Sequence, residues 1–211
     1  CGKQPSGAGD NAPQNITSPK GADASDNRKR ARPHYNRGCH LQDHRQLRQA
    51  VECYEKAIRI DPNYADAHFN HGSALLELVD LEGAAISCEA AIRIRSDYTA
   101  AYYNLGYIRQ DQGRLDEAVK AFRNAVRYAP HDAEGWIHLG NVLRARNKGT
   151  DISDAITAYQ SAGDVNSDLV MAHYNLGAGL QDVGNVDAAI RSFSHALRLD
   201  PENVDALYNY A

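Results

Sequence analysis

The stretch TAAYYNLGYIRQDQGRLDEAVKAFRNAVRYAPHD, Thr99 to Asp132, decides the fold. It reads as two amphipathic helical patterns joined at Gln112-Gly113-Arg114 and closed by Pro130. A glycine just past a helical run takes the left-handed conformation that ends it, and proline, lacking an amide hydrogen, stops the second run. Shifted by its own length of 34 residues, the stretch falls onto its neighbours. YYNLG (Tyr102 to Gly106) comes into register with HYNRG (His34 to Gly38), HFNHG (His68 to Gly72), WIHLG (Trp136 to Gly140) and HYNLG (His173 to Gly177).

Each column has a physical reason. Gly38, Gly72, Gly106, Gly140 and Gly177 let the first helix approach its partner where a larger side chain would wedge the two apart. Ala50, Ala84, Ala118, Ala155 and Ala189 are the matching small residues on the second helix. Tyr54, Cys88, Phe122, Tyr159 and Phe193 follow four residues later on the same face and fill the space between helices. Ala57, Ala91, Ala125, Ala162 and Ala196 admit the next repeat, and Pro62, Pro130 and Pro201, with Ser96 and Ser167 in the other two repeats, stand where the second helix stops. Gly184 repeats the role of Gly113, but Arg45 and Val79 occupy the same position without glycine's freedom, so those two turns are expected to be less well specified.

The period of 34 and these columns resemble the tetratricopeptide repeat pattern W-x2-L-G-x2-Y, A-x3-F, P. The resemblance implies an all-α fold, a right-handed α-solenoid of stacked helix-turn-helix hairpins whose first helices line a groove. Five repeats cover 31–64, 65–98, 99–132, 133–169 and 170–203, and a partial sixth covers 204–211, within a repeat domain of 34–211. The fourth is three residues longer, and its turn carries Arg144, Arg146 and Lys148. An insertion at a hairpin tip either faces a partner or is a slack, solvated turn, and the second reading is preferred. VDALYNYA, Val204 to Ala211, begins a repeat and stops mid-helix without the polar cap that solenoids need, so the chain is read as a fragment of a longer protein.

With a net charge of -4 among 211 residues, the chain lacks the basic footprint of a nucleic-acid binder. No stretch approaches the roughly 18 consecutive apolar residues of a membrane-spanning helix. Residues 1–33 are rich in Gly, Ser, Pro, Asn and Ala, with Ile16 as the only large aliphatic, and read as a flexible tether. Cys1 at the head of such a tether resembles a mature bacterial lipoprotein; the resemblance implies acyl chains on Cys1 and, with Gly2 following, the periplasmic face of the outer membrane. A cytoplasmic location is the alternative. Asn15-Ile16-Thr17 fits the glycosylation pattern only in a eukaryotic secretory route, and Arg28, Lys29, Arg30 and Arg32 read as a solvated basic arm.

On the first helices, Asn36, Asn70, Asn104, Asn175 and Asn209 form a column broken by His138. A primary amide donates and accepts, so such a row pairs with the backbone of an extended peptide whatever its side chains. The row resembles the peptide-binding superhelix of O-linked N-acetylglucosamine transferase; the competing reading is inter-repeat packing. The preceding column, Tyr35, Phe69, Tyr103, Ile137, Tyr174 and Tyr208, supplies either partner contact or packing between repeats. Asp43, Glu77, Asp111 and Asp182 form an acidic column that favours basic or amide-rich partners if it faces the groove. Co-chaperones of this family that clamp carboxylates carry cations where this chain has Tyr35, Cys39, Asn70, Ala100 and Asn104, which argues against that partner class.

No GxSxG elbow, GxxxxGK[ST] loop, HExxH or CxxCH motif occurs. Cys39, His40, Asp43 and His44 are the best metal candidate, more simply explained as an exposed polar helix face; Cys53 and Cys88 read as core thiols. The expectation is therefore not an enzyme, with no cofactor and no small-molecule substrate. It is a protein-binding scaffold tethered to the envelope and helping to assemble a surface or secretion complex. Its rivals are the substrate-recruiting part of a glycosyltransferase and a structural subunit of a large complex.

Overall fold

The computed structural model describes residues 24–210; Cys1, Gly2 and Asn15 to Thr17, on which the anchoring and glycosylation expectations rest, lie outside them. Eleven helices follow one another among the described residues: α1 (Ala24–Asp43), α2 (Leu47–Ile60), α3 (Ala65–Glu77), α4 (Leu81–Ile94), α5 (Thr99–Asp111), α6 (Leu115–Tyr128), α7 (Ala133–Arg146), α8 (Asp151–Val165), α9 (Val170–Asp182), α10 (Val186–Leu199) and α11 (Val204–Tyr210). Odd and even helices pair as antiparallel hairpins, and each second helix then packs on the first helix of the next hairpin. First helices also meet directly, α1 with α3, α3 with α5 and α7 with α9, whereas no comparable contact joins consecutive second helices. The stack therefore curves toward its first helices, which form the inner face.

The small-residue columns pack as their chemistry requires. A Cβ on Gly106 would lie 2.7 Å from Phe122 Cζ, so only hydrogen there lets α5 seat against the ring. Gly38, Gly140 and Gly177 stand against Tyr54, Tyr159 and Phe193 in the same way, while Gly72 faces the smaller Cys88. Ala118, Phe122 and Ala125 are fully buried along α6, and their counterparts on the other second helices are likewise buried. At ~25 cal/mol per Å² of apolar surface removed from water, each such aromatic contributes a few kcal/mol, in every repeat but the second, where Cys88 contributes less.

In three of the repeats the column that contains Trp136 makes the same bond to the preceding turn. Trp136 Nε1 donates to the Pro130 carbonyl at 2.9 Å, and the Nε2 atoms of His68 and His173 stand 2.9 and 2.8 Å from the carbonyls of Pro62 and Ser167. A carbonyl only accepts, so both imidazoles carry their proton on Nε2 and reproduce the indole N–H.

Three expectations are corrected. First, α1 begins at Ala24, so residues 24–33 belong to the solenoid and not to the tether. The basic arm is helical there: Arg28 pairs with Asp61, donates to the Asn63 carbonyl at 2.9 Å and lies 3.8 Å from the Tyr64 ring centre, while Ala31 is fully buried. Those contacts draw the helix two turns back past Pro33. Second, the turns at Arg45 and Val79 are as well defined as those at Gly113 and Gly184. Both residues adopt the left-handed conformation, with φ of 59° and 65°. Both turns also keep the paired capping bonds: Gln46 N–H to Leu41 O at 2.8 Å and Asp80 N–H to Leu75 O at 2.9 Å match Arg114 N–H to Arg109 O at 2.8 Å. Third, the longer turn of the fourth repeat is not slack. Arg146 pairs with Asp151 and Asp116, Lys148 with Asp116, and Arg144 with Asp182.

Where the other first helices carry Leu41, Leu75, Leu143 and Leu180, α5 carries Arg109, which is only 4% exposed. Its guanidinium meets Glu89 at 2.6 Å and Glu117 at 3.2 Å, so a charge in a core column is held by carboxylates from α4 and α6. A charge that far from water persists only when paired.

Candidate peptide-binding face

On the inner face the asparagine column divides into two groups. Asn70 donates from Nδ2 to Tyr35 Oη at 3.1 Å and to Cys39 Sγ at 3.3 Å, and Asn209 donates to Tyr174 Oη at 3.5 Å and to the Asp205 carbonyl at 2.8 Å. Both amides are occupied by the tyrosine that stands 35 residues earlier. Asn104 and Asn175 follow Phe69 and Ile137, which have no hydroxyl to offer, and Asn36 is exposed on the first hairpin. Those three amides have no hydrogen-bond partner among the described residues. An unengaged primary amide at a solvent-facing position pairs with water or with a ligand backbone.

The aromatic column packs. Tyr35 lies 4.9 Å from Tyr64 and 6.1 Å from Tyr54, Phe69 lies 4.9 Å from Tyr98, and Tyr174 lies 5.9 Å from Phe193, all between ring centres. Ile137 is 2% exposed, whereas Tyr208 is 84% exposed. These spacings are those of interleaved aromatic pairs, so Tyr35, Phe69 and Tyr174 pack against rings of their own hairpins and of the turns that follow, while Tyr208 stands exposed. The acidic column is also divided. Glu77 accepts from Gln42 at 2.8 Å and Arg45 at 3.0 Å, and Asp182 is held by Arg144; Asp111 is exposed with no ion pair among the described residues.

Two hollows open between first helices. One, of about 270 Å³, is walled by Ala100, Tyr103, Asn104 and Tyr107 of α5 and by Asp132, Glu134 and His138 at the start of α7. Tyr103 Oη donates to Asp132 Oδ2 at 2.6 Å, while Asp132 Oδ1 accepts the Gly135 amide at 3.2 Å. His138, which breaks the asparagine column, stacks 5.9 Å from Phe122 and meets the Tyr107 ring edge-on at 5.1 Å. Burial pulls its pKa below the usual imidazole value, against the pull of Glu134 and Asp132, which favours the neutral ring. Burial raises the pKa of Tyr107, and the negative charges of Glu134 and Asp132 push it the same way. The other hollow, of about 640 Å³, is lined by Asn141, Arg144, Asn147, Tyr159 and Asp182 beside the longer turn. Tyr159 Oη donates to Asn141 Oδ1 at 2.9 Å, fixing that amide's orientation.

Tyr107, Asp132, Glu134 and Asn141 were not singled out by the sequence. The signal available was that Tyr107 and Asn141 stand one helical turn beyond Tyr103 and Ile137, on the same face. The metal candidate does not converge: the His40 and His44 rings stack at 4.2 Å, His44 Nδ1 turns to the His40 carbonyl at 2.8 Å, and Cys39 faces Asn70. Cys53 and Cys88 are buried thiols, and burial pushes Cys88 up to about 12.

A curved stack of helical hairpins with an open inner face defines a class of repeat protein built for contact along its length. Family models described as TPR repeat and Tetratricopeptide repeat match residues 46–79, 99–132 and 170–203, so the chain carries tetratricopeptide repeats. The first of these matches takes the second helix of one hairpin with the first helix of the next.

Among curated relatives, the cytochrome c-type biogenesis protein CycH of Bradyrhizobium diazoefficiens is 34% identical over 77 residues, 36% of this chain and 21% of that protein. The probable UDP-N-acetylglucosamine--peptide N-acetylglucosaminyltransferase SPINDLY of Arabidopsis thaliana is 39% identical over 71 residues, 34% of this chain and 7% of that protein. The chain thus matches about a fifth of the first relative's length and less of the second's. Among solved structures, YrrB, described as a TPR protein with an unusual peptide-binding site, superposes with a TM-score of 0.75 at 21% identity, covering 84% of this chain and 90% of that one. MamA superposes with a TM-score of 0.72 at 21% identity, covering 78% and 95%. At such identities these likenesses speak for the fold alone.

Proposed function

We propose that this chain is a protein-interaction scaffold that holds an extended segment of a partner along the inner face of its first helices. The observation that carries this is the division of the asparagine column: Asn36, Asn104 and Asn175 present amides with no partner among the described residues, and Asn104 lines one of the two hollows between the helices. An extended segment satisfies such amides through its own backbone, and the hollows then select among its side chains. The test is binding of a mixture library of N-acetylated octapeptides to the wild-type chain and to an Asn104→Ala, Asn175→Ala variant of verified helicity. Loss of binding in the variant supports the groove; equal binding moves the function to another face.

The finer placement is part of the same proposal. Acylated Cys1 would hold the scaffold at the bacterial envelope, where it would assist assembly of a surface or secretion complex. Intact-mass measurement of the native protein tests this, and an unmodified Cys1 removes it. A second reading, the recruiting part of a peptide-modifying glycosyltransferase, is favoured by the similarity to SPINDLY and by the asparagine row. The full-length sequence decides it, because a catalytic domain adds a further folded unit.

A further inference from the structure

The first two junctions between repeats each contain a guanidinium supplied by the chain itself. Arg28 pairs with Asp61 and lies 3.8 Å from the Tyr64 ring centre. Arg95 pairs with Asp66 at 2.7 Å and lies 3.4 Å from the Tyr98 ring centre, while Tyr98 Oη donates to the same Asp66 at 3.0 Å. Each site joins one planar cation to one carboxylate and the face of one tyrosine. This is the chemistry for which guanidinium is suited and ammonium less so.

At the third junction Ala129, Asp132 and Ala100 stand where Arg95, Tyr98 and Asp66 stand one repeat earlier, so that triad is replaced as a whole. The junction carries carboxylates and a tyrosine of its own, Asp132, Glu134 and Tyr107, and among the described residues no lysine or arginine pairs with either acid. The acids instead border the 270 Å³ hollow, with Tyr107 and Asn104 on its other wall. Tyr107 is held edge-on by Phe122 at 5.3 Å and His138 at 5.1 Å, so its ring is fixed without a ligand. The hydroxyl of Tyr107 and the amide of Asn104 have no hydrogen-bond partner among the described residues. The elevated pKa values of Tyr103 and Tyr107, caused first by burial and then by these carboxylates, agree with an uncompensated negative field.

We propose that the hollow between α5 and α7 receives an arginine side chain of the bound segment, with Glu134 and Asp132 pairing with the guanidinium, Tyr107 stacking beside it and Asn104 holding the segment's backbone. The proposal rests on the groove reading above. The partner segment carries an arginine at the place that crosses the third and fourth repeats, where it meets carboxylates and a tyrosine, the kinds of group that Arg28 and Arg95 meet within the chain.

The test uses the full chain and the N-acetylated octapeptide library with one position fixed as arginine, lysine or citrulline, the last being the neutral isostere of arginine. The wild-type chain is expected to bind the arginine mixtures at one position about fivefold or more above the citrulline mixtures, the scale of a single half-exposed ion pair. Glu134→Gln, at an exposed residue, should bring that ratio close to one, and Asp132→Asn, which keeps the Gly135 cap, should lower it. Equal binding of arginine and citrulline mixtures, or a preference unchanged by both variants, overturns the proposal. Equal binding of the lysine mixtures overturns the assignment to arginine. If Asn104→Ala, Asn175→Ala leaves all mixtures bound, the groove reading fails and takes this one with it. Parity of arginine and citrulline with amide dependence intact removes this proposal alone.

Discussion

Replacing Val79 by glycine should make the protein more stable, although it deletes a side chain and adds backbone freedom. Val79 ends α3 with φ of 65°, a conformation in which the Cβ of an L-residue crowds the neighbouring carbonyl, at a cost of roughly 1–2 kcal/mol and more for a β-branched side chain. Its side chain is 77% exposed, so little buried apolar surface is lost on removal. Against the relief stands the larger unfolded-state entropy of glycine, about 0.5–1 kcal/mol. The difference favours Val79→Gly by about 0.5–1 kcal/mol, worth about 2 °C in Tm for a chain of this size. Gly113→Val reverses the same terms at the matching turn, where φ is 71° and nothing lies within 4 Å of an added Cβ, and should cost a similar amount. Urea unfolding followed by circular dichroism reads the global change. Because repeat arrays unfold in parts, hydrogen exchange on α3 and α4 should show the gain concentrated there. A Val79→Gly protein of equal or lower stability would refute the claim that the left-handed residue is strained, and Gly113→Val without loss would refute it independently.

Three further outcomes follow from the packing and the buried charges. Gly106→Ala should cost about 1–3 kcal/mol, because the new methyl meets the Phe122 ring; exchange protection should fall most in α5 to α8, and uniform loss along the chain would contradict local coupling. His71 donates from Nδ1 to Ser87 Oγ and leaves Nε2 buried without a partner among the described residues, and burial pulls its pKa below the ordinary value. Its contribution is full above about pH 6.5 and is lost as pH falls below that value, since the unfolded chain takes the proton first. His71→Leu should therefore flatten the loss of stability between pH 7.5 and 5.5, as read by urea midpoints, and an unchanged slope would exclude His71 as its source. Asp151 is held down to about 2 chiefly by its bonds from Arg146, then by the Lys148 amide, against its burial. That support is present above about pH 4 and lost as pH falls toward 2. Asp151→Asn should loosen α7–α8 near neutral pH and remove the difference from wild type at pH 2, which thermal scans at the two pH values would show.

Much of the fold was legible because every core position is written five times. Gly106 facing Phe122 is inferred from one repeat and checked against four others, including Gly72, where the aromatic is replaced by Cys88. Contacts that occur once were not legible in this way. Arg28 reads as part of a solvated arm until α1 is seen to reach back over Asp61 and Tyr64. Arg109 sits in a leucine column, and its pairing depends on glutamates from two flanking helices. The positions of Arg45 and Val79 show that turn geometry was fixed by hydrogen bonds and packing of the hairpin, which override residue preference. For the site, the asparagine column was visible, but which of its members are free was not. That depends on a hydroxyl one repeat earlier in the chain, a relation that no single column displays.

This dependence separates what the groove presents from the residues that line it. The oxygen of Tyr35 keeps Asn70 occupied, and its absence from Phe69 leaves Asn104 open. Phe69→Tyr would therefore silence Asn104 without touching it, and Tyr35→Phe would leave Asn70 only its weaker bond to Cys39 Sγ, each by a change of one atom in a half-buried ring. A lineage of such proteins can rewrite its recognition surface repeat by repeat from beneath, while the asparagines themselves remain in place.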